Sequence, residues 1–299
     1  MKIYIMTDCE GVAGVMDSDN WTGINSRYYD VAKELLTSEV NAAIAGFAAA
    51  GAKEFLVCDG HGPGAINPLL LDERAELLRG LGNGYPYEMD KSFDAIAWVG
   101  QHAMSRTPQA HMAHTGSMRK FEYTVNGTPV GEFGQLAMCA SELGVRAIFG
   151  SGDRAFCAEA QALVPGIETV EVKRGTKLGR GDECNTEQYR VRNYSAIHMH
   201  PVRAREKIRI GAERAVKRFR KEKFGIIPLR GPFVMVKKYR AFGDQPPATI
   251  KGSHPTSVIA LFQNIPIDPP VVKPTRKRPV KKTAAKRKSV AGKRAKSGK

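Results

Sequence analysis

Short apolar segments suited to buried strands alternate along this chain with longer segments of helical periodicity. The apolar run Ile3-Tyr4-Ile5-Met6 is followed by residues 31–50, where apolar residues recur at helical spacing, and then by a second strand-like run at 54–59. This order predicts a right-handed βαβ unit. The alternation continues through strands at 94–100, 145–150 and 167–173, and a helix at 154–163 that Asp153 caps. We therefore predict an α/β protein whose mostly parallel sheet is flanked by helices.

Other segments indicate additional structure beside that sheet. Asn126-Gly127 separates two strand-like segments and predicts a hairpin with a two-residue turn. A helix should begin at Glu132 and end near Leu143. The chain then continues as a polar loop at 174–194, a helix at 202–221 and a strand at 232–238. We expect a smaller second α/β subdomain within one domain of residues 1–265.

The positive charge of the chain is concentrated at its carboxyl end. Residues 273–299 contain 13 of the 46 Lys and Arg residues and none of the 30 acids, which leaves a net charge of only +3 for the rest. This segment lacks aromatic residues and cannot bury enough apolar surface to offset the entropy of ordering. We predict that residues 266–299 form a disordered Pro/Lys/Arg-rich tail. The tail either only solvates the terminus or binds nucleic acid weakly and without sequence preference.

Targeting signals and cysteine usage suggest the compartment. The apolar runs are far shorter than the ~20 residues that span a bilayer, and Asp8 interrupts the amino terminus before any signal peptide could form. The five cysteines include no Cys-x-x-Cys pair. We expect reduced thiols in a cytoplasmic protein that does not bind membranes.

Acidic and histidine side chains follow the predicted strands at the point where each strand ends. Asp8 and Glu10 come after the first strand, His61 after the second and His102 after the third. His114 lies in the next loop and Glu132 follows the hairpin. The carboxyl ends of parallel strands meet at the ligand crevice, where two neighbouring carboxylates repel each other unless a cation holds them. Carboxylate and imidazole donors are typical of zinc sites, so this pattern indicates a hydrolytic two-metal site.

Each residue also has a simpler structural interpretation. A lone histidine is more often a core or surface residue than a ligand. Glu132 could merely stabilise the first turn of its helix through the helix dipole. Cys9 should alternate to the opposite face of the strand from Asp8 and Glu10 and be a buried apolar thiol.

Several motifs along residues 1–240 resemble, in the same order, those of the zinc-dependent D-aminopeptidases of bacteria, peptidase family M55, typified by the enzyme of a dipeptide-transport operon. The matching stretches are Asp8-Cys9-Glu10-Gly11-Val12-Ala13-Gly14, Thr37-Ser38-Glu39-Val40-Asn41, Asp59-Gly60-His61-Gly62, Gly100-Gln101-His102-Ala103, Ala113-His114-Thr115, Val130-Gly131-Glu132-Phe133-Gly134 and Gly152-Asp153-Arg154.

The resemblance implies a site and an assembly. Five residues match the family's ligands for two zinc ions, with Asp8 as the bridge: Asp8, Glu10, His61, His102 and Glu132. His114 matches the catalytic histidine. Family members form ring-like homodecamers, so the resemblance also implies a homo-oligomer that acts on short peptides.

The sequence departs from the family pattern in two places. His111 lies three residues before His114, in a stretch one residue longer than the pattern, so either ring could serve; we favour His114 because it stands in Ala-His-Thr. Residues 256–262 correspond to the family's last strand, after which the expected acidic helical ending is replaced by the basic tail.

Three functions are compatible with the sequence. The first is a zinc-dependent aminopeptidase that releases amino-terminal D-amino acids from short peptides. The second keeps the two-metal hydrolase but changes the substrate to another amide or a phosphoester. The third is an inactive core that carries a nucleic-acid-binding tail.

Overall fold

The computed structural model describes residues 1–82 and 84–264, together with Pro269 and Gly298. The described residues form seven helices: α1 (Ser18–Trp21), α2 (Tyr29–Ala49), α3 (Glu132–Leu143), α4 (Arg154–Leu163), α5 (Thr186–Arg192), α6 (Pro201–Phe219) and α7 (Val258–Gln263). They also form eleven strands: β1 (Lys2–Thr7), β2 (Glu54–Asp59), β3 (Ala75–Arg79), β4 (Ala95–Gln101), β5 (Lys120–Val125), β6 (Thr128–Pro129), β7 (Arg146–Asp153), β8 (Glu168–Gly175), β9 (Ala196–His198), β10 (Phe233–Tyr239) and β11 (Ala248–His254). Apart from Pro269 and Gly298, the predicted tail lies outside this part of the chain, as does the domain boundary at residue 265.

The larger sheet has seven strands in the order β3-β2-β1-β4-β7-β8-β9. Every neighbouring pair is parallel except β8 and β9. In this order β2 lies on one side of β1 and β4 lies on the other. The strand order thus reverses direction at β1, and a crevice opens at the carboxyl ends of β1 and β4. This sheet with its flanking helices confirms the predicted fold class.

The core lies on both faces of the larger sheet. Ile3 and Ile5 of β1 pack into a cluster with α2 and α6, whereas Tyr4 and Met6 point into a cluster with α3 and α4. Gly46 of α2 lies at the contact with another helix, α6. A Cβ at Gly46 would lie 2.2 Å from the Arg209 carbonyl oxygen of α6, so only glycine fits there.

The smaller sheet is antiparallel, with the strand order β11-β10-β5-β6. The predicted hairpin is present: Asn126 and Gly127 have φ values of 49° and 79° and connect β5 to β6. Helix α7 packs beside this sheet and against α3. The smaller sheet with α7 confirms the second subdomain.

Two local predictions differ from the structure. The predicted loop at 174–194 contains α5, because the Asn185 side chain caps the helix and Gln188 completes a capping box. The predicted strand at 256–262 is instead helix α7. Ser257 is its N-cap residue, and the Ser257 side chain accepts a hydrogen bond from the Ala260 N–H. Apolar periodicity in so short a run does not separate the two states. No helix among the described residues is long and apolar enough to cross a membrane.

Candidate metal centre

The loop after β1 is fastened to β4, and this contact places the first two acids in the crevice. The Asp8 N–H donates to the Val99 carbonyl at 3.0 Å, and the Gly11 N–H donates to the Gly100 carbonyl at 2.7 Å. A Cβ at Gly11 would lie 2.1 Å from the Gln101 carbonyl oxygen, so glycine is required for this approach. Asp8 and Glu10 therefore lie on a turn beyond β1 and not within the strand, although they still face the same site.

Asp8, Glu10 and His61 form the first cluster of donor groups. His61 Nδ1 lies 3.3 Å from Asp8 Oδ1 and 3.1 Å from Glu10 Oε2. The candidate ligand atoms of the three residues all lie within 4.8 Å of one another, and all three residues are buried. Residues that lie after β1 and β2 thus meet at the edge of the sheet.

His102, His114 and Glu132 form the second cluster. Glu132 Oε1 lies 3.5 Å from His102 Nε2 and 3.8 Å from His114 Nε2, and the two imidazole rings stack with centroids 4.0 Å apart. Asp8 joins the two clusters, because its Oδ1 faces His61 while its Oδ2 lies 3.1 Å from His102 Nε2. All six predicted site residues are therefore brought together.

The carboxylate of Glu132 reaches away from its own helix. It accepts the Gly116 N–H at 2.5 Å as well as approaching the two histidines. A residue that served only to cap α3 would direct its carboxylate at the first amides of that helix. Its orientation therefore places Glu132 in the donor set.

The backbone determines which ring nitrogen of each histidine faces the carboxylates. One nitrogen of each ring forms a hydrogen bond with a backbone carbonyl oxygen: His61 Nε2 with that of Thr22 (2.7 Å), His102 Nδ1 with that of Ala103 (2.9 Å) and His114 Nδ1 with that of Met112 (2.9 Å). A carbonyl only accepts, so these nitrogens carry the hydrogens. In the neutral rings the opposite nitrogens are lone pairs aimed at carboxylate oxygens, a repulsive arrangement that either a proton on the ring or a cation between the groups relieves.

Two buried atoms of the site lack a hydrogen-bond partner among the described residues, and a bound cation could take the place of that partner. Glu10 Oε2 and His102 Nε2 are fully shielded and make no hydrogen bond within the described part of the chain. Burying such groups without partners is costly. Oxygen and imidazole donors with lone pairs directed inward fit a divalent metal such as zinc.

The electrostatics of the site favour positive charge. Burial disfavours the imidazolium of His61, but the Glu10 and Asp8 carboxylates outweigh burial and raise the pKa of His61 to about 12. Burial likewise opposes ionisation of Asp8, yet the charge of His102 outweighs it and holds the pKa of Asp8 well below its usual range. A proton satisfies this preference only in part, whereas a divalent cation can satisfy several lone pairs together.

The two candidate histidines of the 108–114 loop lie in different environments. His111 is completely buried; its backbone N–H donates to Asp153 Oδ2 at 2.8 Å, and its ring Nε2 lies 2.9 Å from the Met16 carbonyl oxygen. Burial, with the nearby charges of Lys173 and His198, lowers the pKa of His111 to about 2. His114 has an exposed side-chain fraction of 14% and lines the cavity. The geometry therefore favours His114 as the candidate catalytic residue, whereas His111 is buried among structural contacts.

A buried polar network lies beneath the site and was not predicted as a unit. Glu39 accepts the Ala13 N–H at 2.9 Å, and Lys173 donates to the Val15 carbonyl at 3.2 Å. Asp153 caps α4 by accepting the Phe156 N–H. The network ties the loop after β1 to α2 and β8, and so supports the turn that carries Asp8 and Glu10. Cys9 is buried among apolar residues as expected, and burial raises the pKa of its thiol well above the usual value.

A cavity of about 780 Å³ opens over the two clusters. Its size is typical of small-molecule sites. The cavity is bounded on one side by the donor groups. Elsewhere it is bounded by residues of the smaller sheet, of α7 and of the segments 81–82 and 84–87, including Tyr85, Tyr87, Tyr123 and Phe262. The sequence motifs did not indicate this aromatic boundary, because its residues come from distant segments.

Comparison with known proteins identifies similar chains. A family model described as D-aminopeptidase, peptidase family M55, matches residues 1–241. A curated D-aminopeptidase from Bacillus subtilis (strain 168) is 31% identical over 181 residues, which make up 58% of this chain and 64% of the relative. The alignment thus spans slightly less than two thirds of that relative's length.

A solved structure has a similar fold. It is the Zn-dependent D-aminopeptidase DppA from Bacillus subtilis, a self-compartmentalizing protease. Its TM-score is 0.74 at 21% identity, with coverage of 88% of this chain and 95% of that one. At this level of identity the likeness concerns the fold.

Proposed function

The chain belongs to the D-aminopeptidase family, and from this premise we propose that it is a zinc-dependent aminopeptidase that releases amino-terminal D-amino acids from short peptides. The observation that carries the proposal is the orientation of three histidine rings: in each, one nitrogen hydrogen-bonds to the backbone, so that the other nitrogen is directed at carboxylate oxygens.

Two zinc ions per chain would use the donors as two sets. Asp8, Glu10 and His61 would hold one ion, while His102 and Glu132 would hold the other. Asp8 would bridge the ions, since its two oxygens already face different histidines. When bound, such a pair of ions polarises the scissile carbonyl, acidifies a water molecule and gives a free amino terminus an anchor.

His114 is the proposed catalytic group. Its Nδ1 donates a hydrogen bond to the Met112 carbonyl oxygen, which leaves Nε2 as the nitrogen that can accept a proton. Nε2 lies beside Glu132, and His114 lines the cavity. From this position Nε2 can accept a proton and deliver it to the departing amine, or attack the carbonyl directly. Gln101 donates to Asp8 Oδ2 at 3.2 Å and so orients the bridging carboxylate.

The size of the cavity supports short substrates. About 780 Å³ accommodates a peptide of a few residues but not a folded chain. The similar solved structure is a self-compartmentalizing protease, and we extend that property to this chain as a homo-oligomer, a decamer by family resemblance. The five free cysteines support a reducing compartment, the cytoplasm.

The proposal is tested by hydrolysis of di- and tripeptides with D- or L-amino termini, together with a phosphoester, before and after chelation. We expect D-amino-terminal peptides to be cleaved and the activity to disappear with chelator. An Asp8→Asn variant purified in parallel measures contaminating peptidases. Cleavage of the phosphoester without cleavage of peptides would support the alternative hydrolase, and no turnover of either would support an inactive core.

A further inference from the structure

The buried face of the smaller sheet includes a lysine at a position that its pattern reserves for apolar residues. Along β10 the side chains alternate between buried and more exposed: Phe233, Met235, Lys237 and Tyr239 are buried, while Val234 and Lys238 are exposed. Lys237 is only 5% exposed. Lysine is seldom buried in a protein core unless it is paired. This face of the sheet lines the cavity, and Lys237 is among the residues that line it.

Lys120 lies on the same face of the neighbouring strand. In the register of β5 and β10, Lys120 is opposite Tyr239 and Tyr123 is opposite Lys237. Lys120 is 7% exposed. The two lysines are thus presented from adjacent strands, next to aromatic rings, and Lys237 Nζ lies 5.3 Å from the centroid of Tyr123.

Both lysines line the cavity that contains the metal ligands. Among the described residues that line it, Lys120 and Lys237 are the only lysine or arginine residues. Lys120 reaches toward the second cluster: an ideal Cβ built on Gly116 would lie 2.6 Å from Lys120 Nζ, and the Gly116 N–H donates to Glu132. The cavity therefore combines a carboxylate-rich donor set with two lysine side chains, of which Lys120 reaches toward the second cluster.

We propose that Lys120 and Lys237 form the subsite for the terminal carboxylate of the substrate peptide. The inference rests on the proposed function, because it assumes that a peptide occupies the cavity with its amino end at the donor clusters. A short peptide has opposite charges at its two ends, and the cavity offers opposite charges in the complementary order. An ammonium and a carboxylate form a charge-assisted hydrogen bond, which is stronger than a neutral one. The subsite would make the enzyme select peptides short enough for both ends to bind at once.

The test compares a D-alanine tripeptide with its carboxyl-terminal amide on zinc-loaded protein. We expect wild type to have a kcat/KM for the acid about 10- to 100-fold above that for the amide. Lys237→Met and Lys120→Met preserve side-chain length and should bring this ratio close to one, mainly by raising KM for the acid. Lys238→Met is the matched control, because Lys238 points away from the cavity and pairs with Glu122 at 2.7 Å. It should leave the ratio unchanged.

Two outcomes would overturn the inference. One is a wild-type enzyme that cleaves the acid and the amide equally well. The other is a pair of lysine variants that lose activity on both substrates in equal proportion, as a purely structural role would produce. If no peptide is cleaved, the proposed function fails, and calorimetric titration of the zinc-loaded protein with the same two tripeptides decides the inference. Tighter binding of the acid that is lost in Lys237→Met supports the subsite, and equal binding overturns it.

Discussion

One wall of the cavity is the carboxyl edge of a parallel sheet, and another is the buried face of an antiparallel sheet. At the parallel edge, the functional groups follow immediately after strands, as Asp8 follows β1 and His61 follows β2. On the antiparallel face they lie within strands, as Lys237 lies within β10. The first wall collects metal-binding groups because parallel strands all end at one edge. The second presents alternate residues over a surface and suits recognition of an extended substrate.

This difference predicts that changes on the two walls have different effects. Variants of the parallel edge should lose metal or the chemical step, whereas variants of the antiparallel face should alter substrate preference while the metal remains bound.

The largest effect is expected from Asp8→Asn. Asp8 faces both clusters, so the variant should lose most of the bound metal and at least about 100-fold in activity. Glu10→Gln is the matched comparison, because Glu10 belongs to the first cluster alone. Metal analysis and peptide hydrolysis on both proteins measure the difference. Equal metal loss in the two variants would contradict a bridging role for Asp8.

A second effect should separate chemistry from metal binding. His114→Ala should keep nearly all of the metal, while kcat falls by roughly 10²- to 10⁴-fold because a positioned proton-transfer group is lost. His111→Ala is the control on the same loop. It removes buried contacts and should lower the melting temperature, with little change in kcat for the folded enzyme. The reverse result would transfer the catalytic role to His111.

The support beneath the parallel edge should appear in the pH dependence of stability. Burial raises the pKa of Glu39 to about 7 from its ordinary value of 4.5, so the folded state binds the proton more tightly than the unfolded state. The stabilisation from protonated Glu39 is therefore complete below about pH 4.5 and is lost as the pH rises through about 7. Glu39→Gln cannot ionise, and its side-chain oxygen can still accept the Ala13 N–H.

The free energy of unfolding of Glu39→Gln, relative to wild type, should increase by up to about 3 kcal/mol between pH 4.5 and pH 8. Denaturant titrations of the chelated proteins at several pH values provide the measurement, since chelation removes metal binding as a second source of pH dependence. Parallel stability curves for the two proteins would show that Glu39 is already ionised in the fold.

The smallest effect on the cavity is expected from removal of residues 273–299. Apart from Gly298, this segment lies beyond the part of the chain that the structure describes, and the residues named for the two walls all precede it in the sequence. Truncation should leave the melting temperature and peptide hydrolysis unchanged. The full chain should bind DNA weakly, with a slope of about −0.9 in log affinity against log salt for each phosphate contacted, and the truncated chain should not bind. Equal DNA affinity with and without the segment would remove its proposed role.

The two walls also differ in how well the sequence predicts them. All six residues of the donor clusters were predicted, because strand ends in a parallel sheet mark positions that meet in space. The network of Glu39, Asp153 and Lys173 was not predicted as a unit, since a bond such as Lys173 to Val15 joins residues 158 positions apart. The signal for Lys237 was present in the alternation Phe233-x-Met235-x-Lys237-x-Tyr239, where a charge interrupts an apolar face. Helices α5 and α7 were missed because their side-chain caps outweigh weak periodicity.

The metal content of protein purified without chelator tests the central claim most directly. Elemental analysis should find close to two zinc ions per chain, and removal of the zinc by chelation should abolish D-peptide hydrolysis until zinc is restored. Protein with no divalent metal above background, or hydrolysis that persists unchanged after the metal has been removed, would contradict a two-zinc centre at the edge of the parallel sheet.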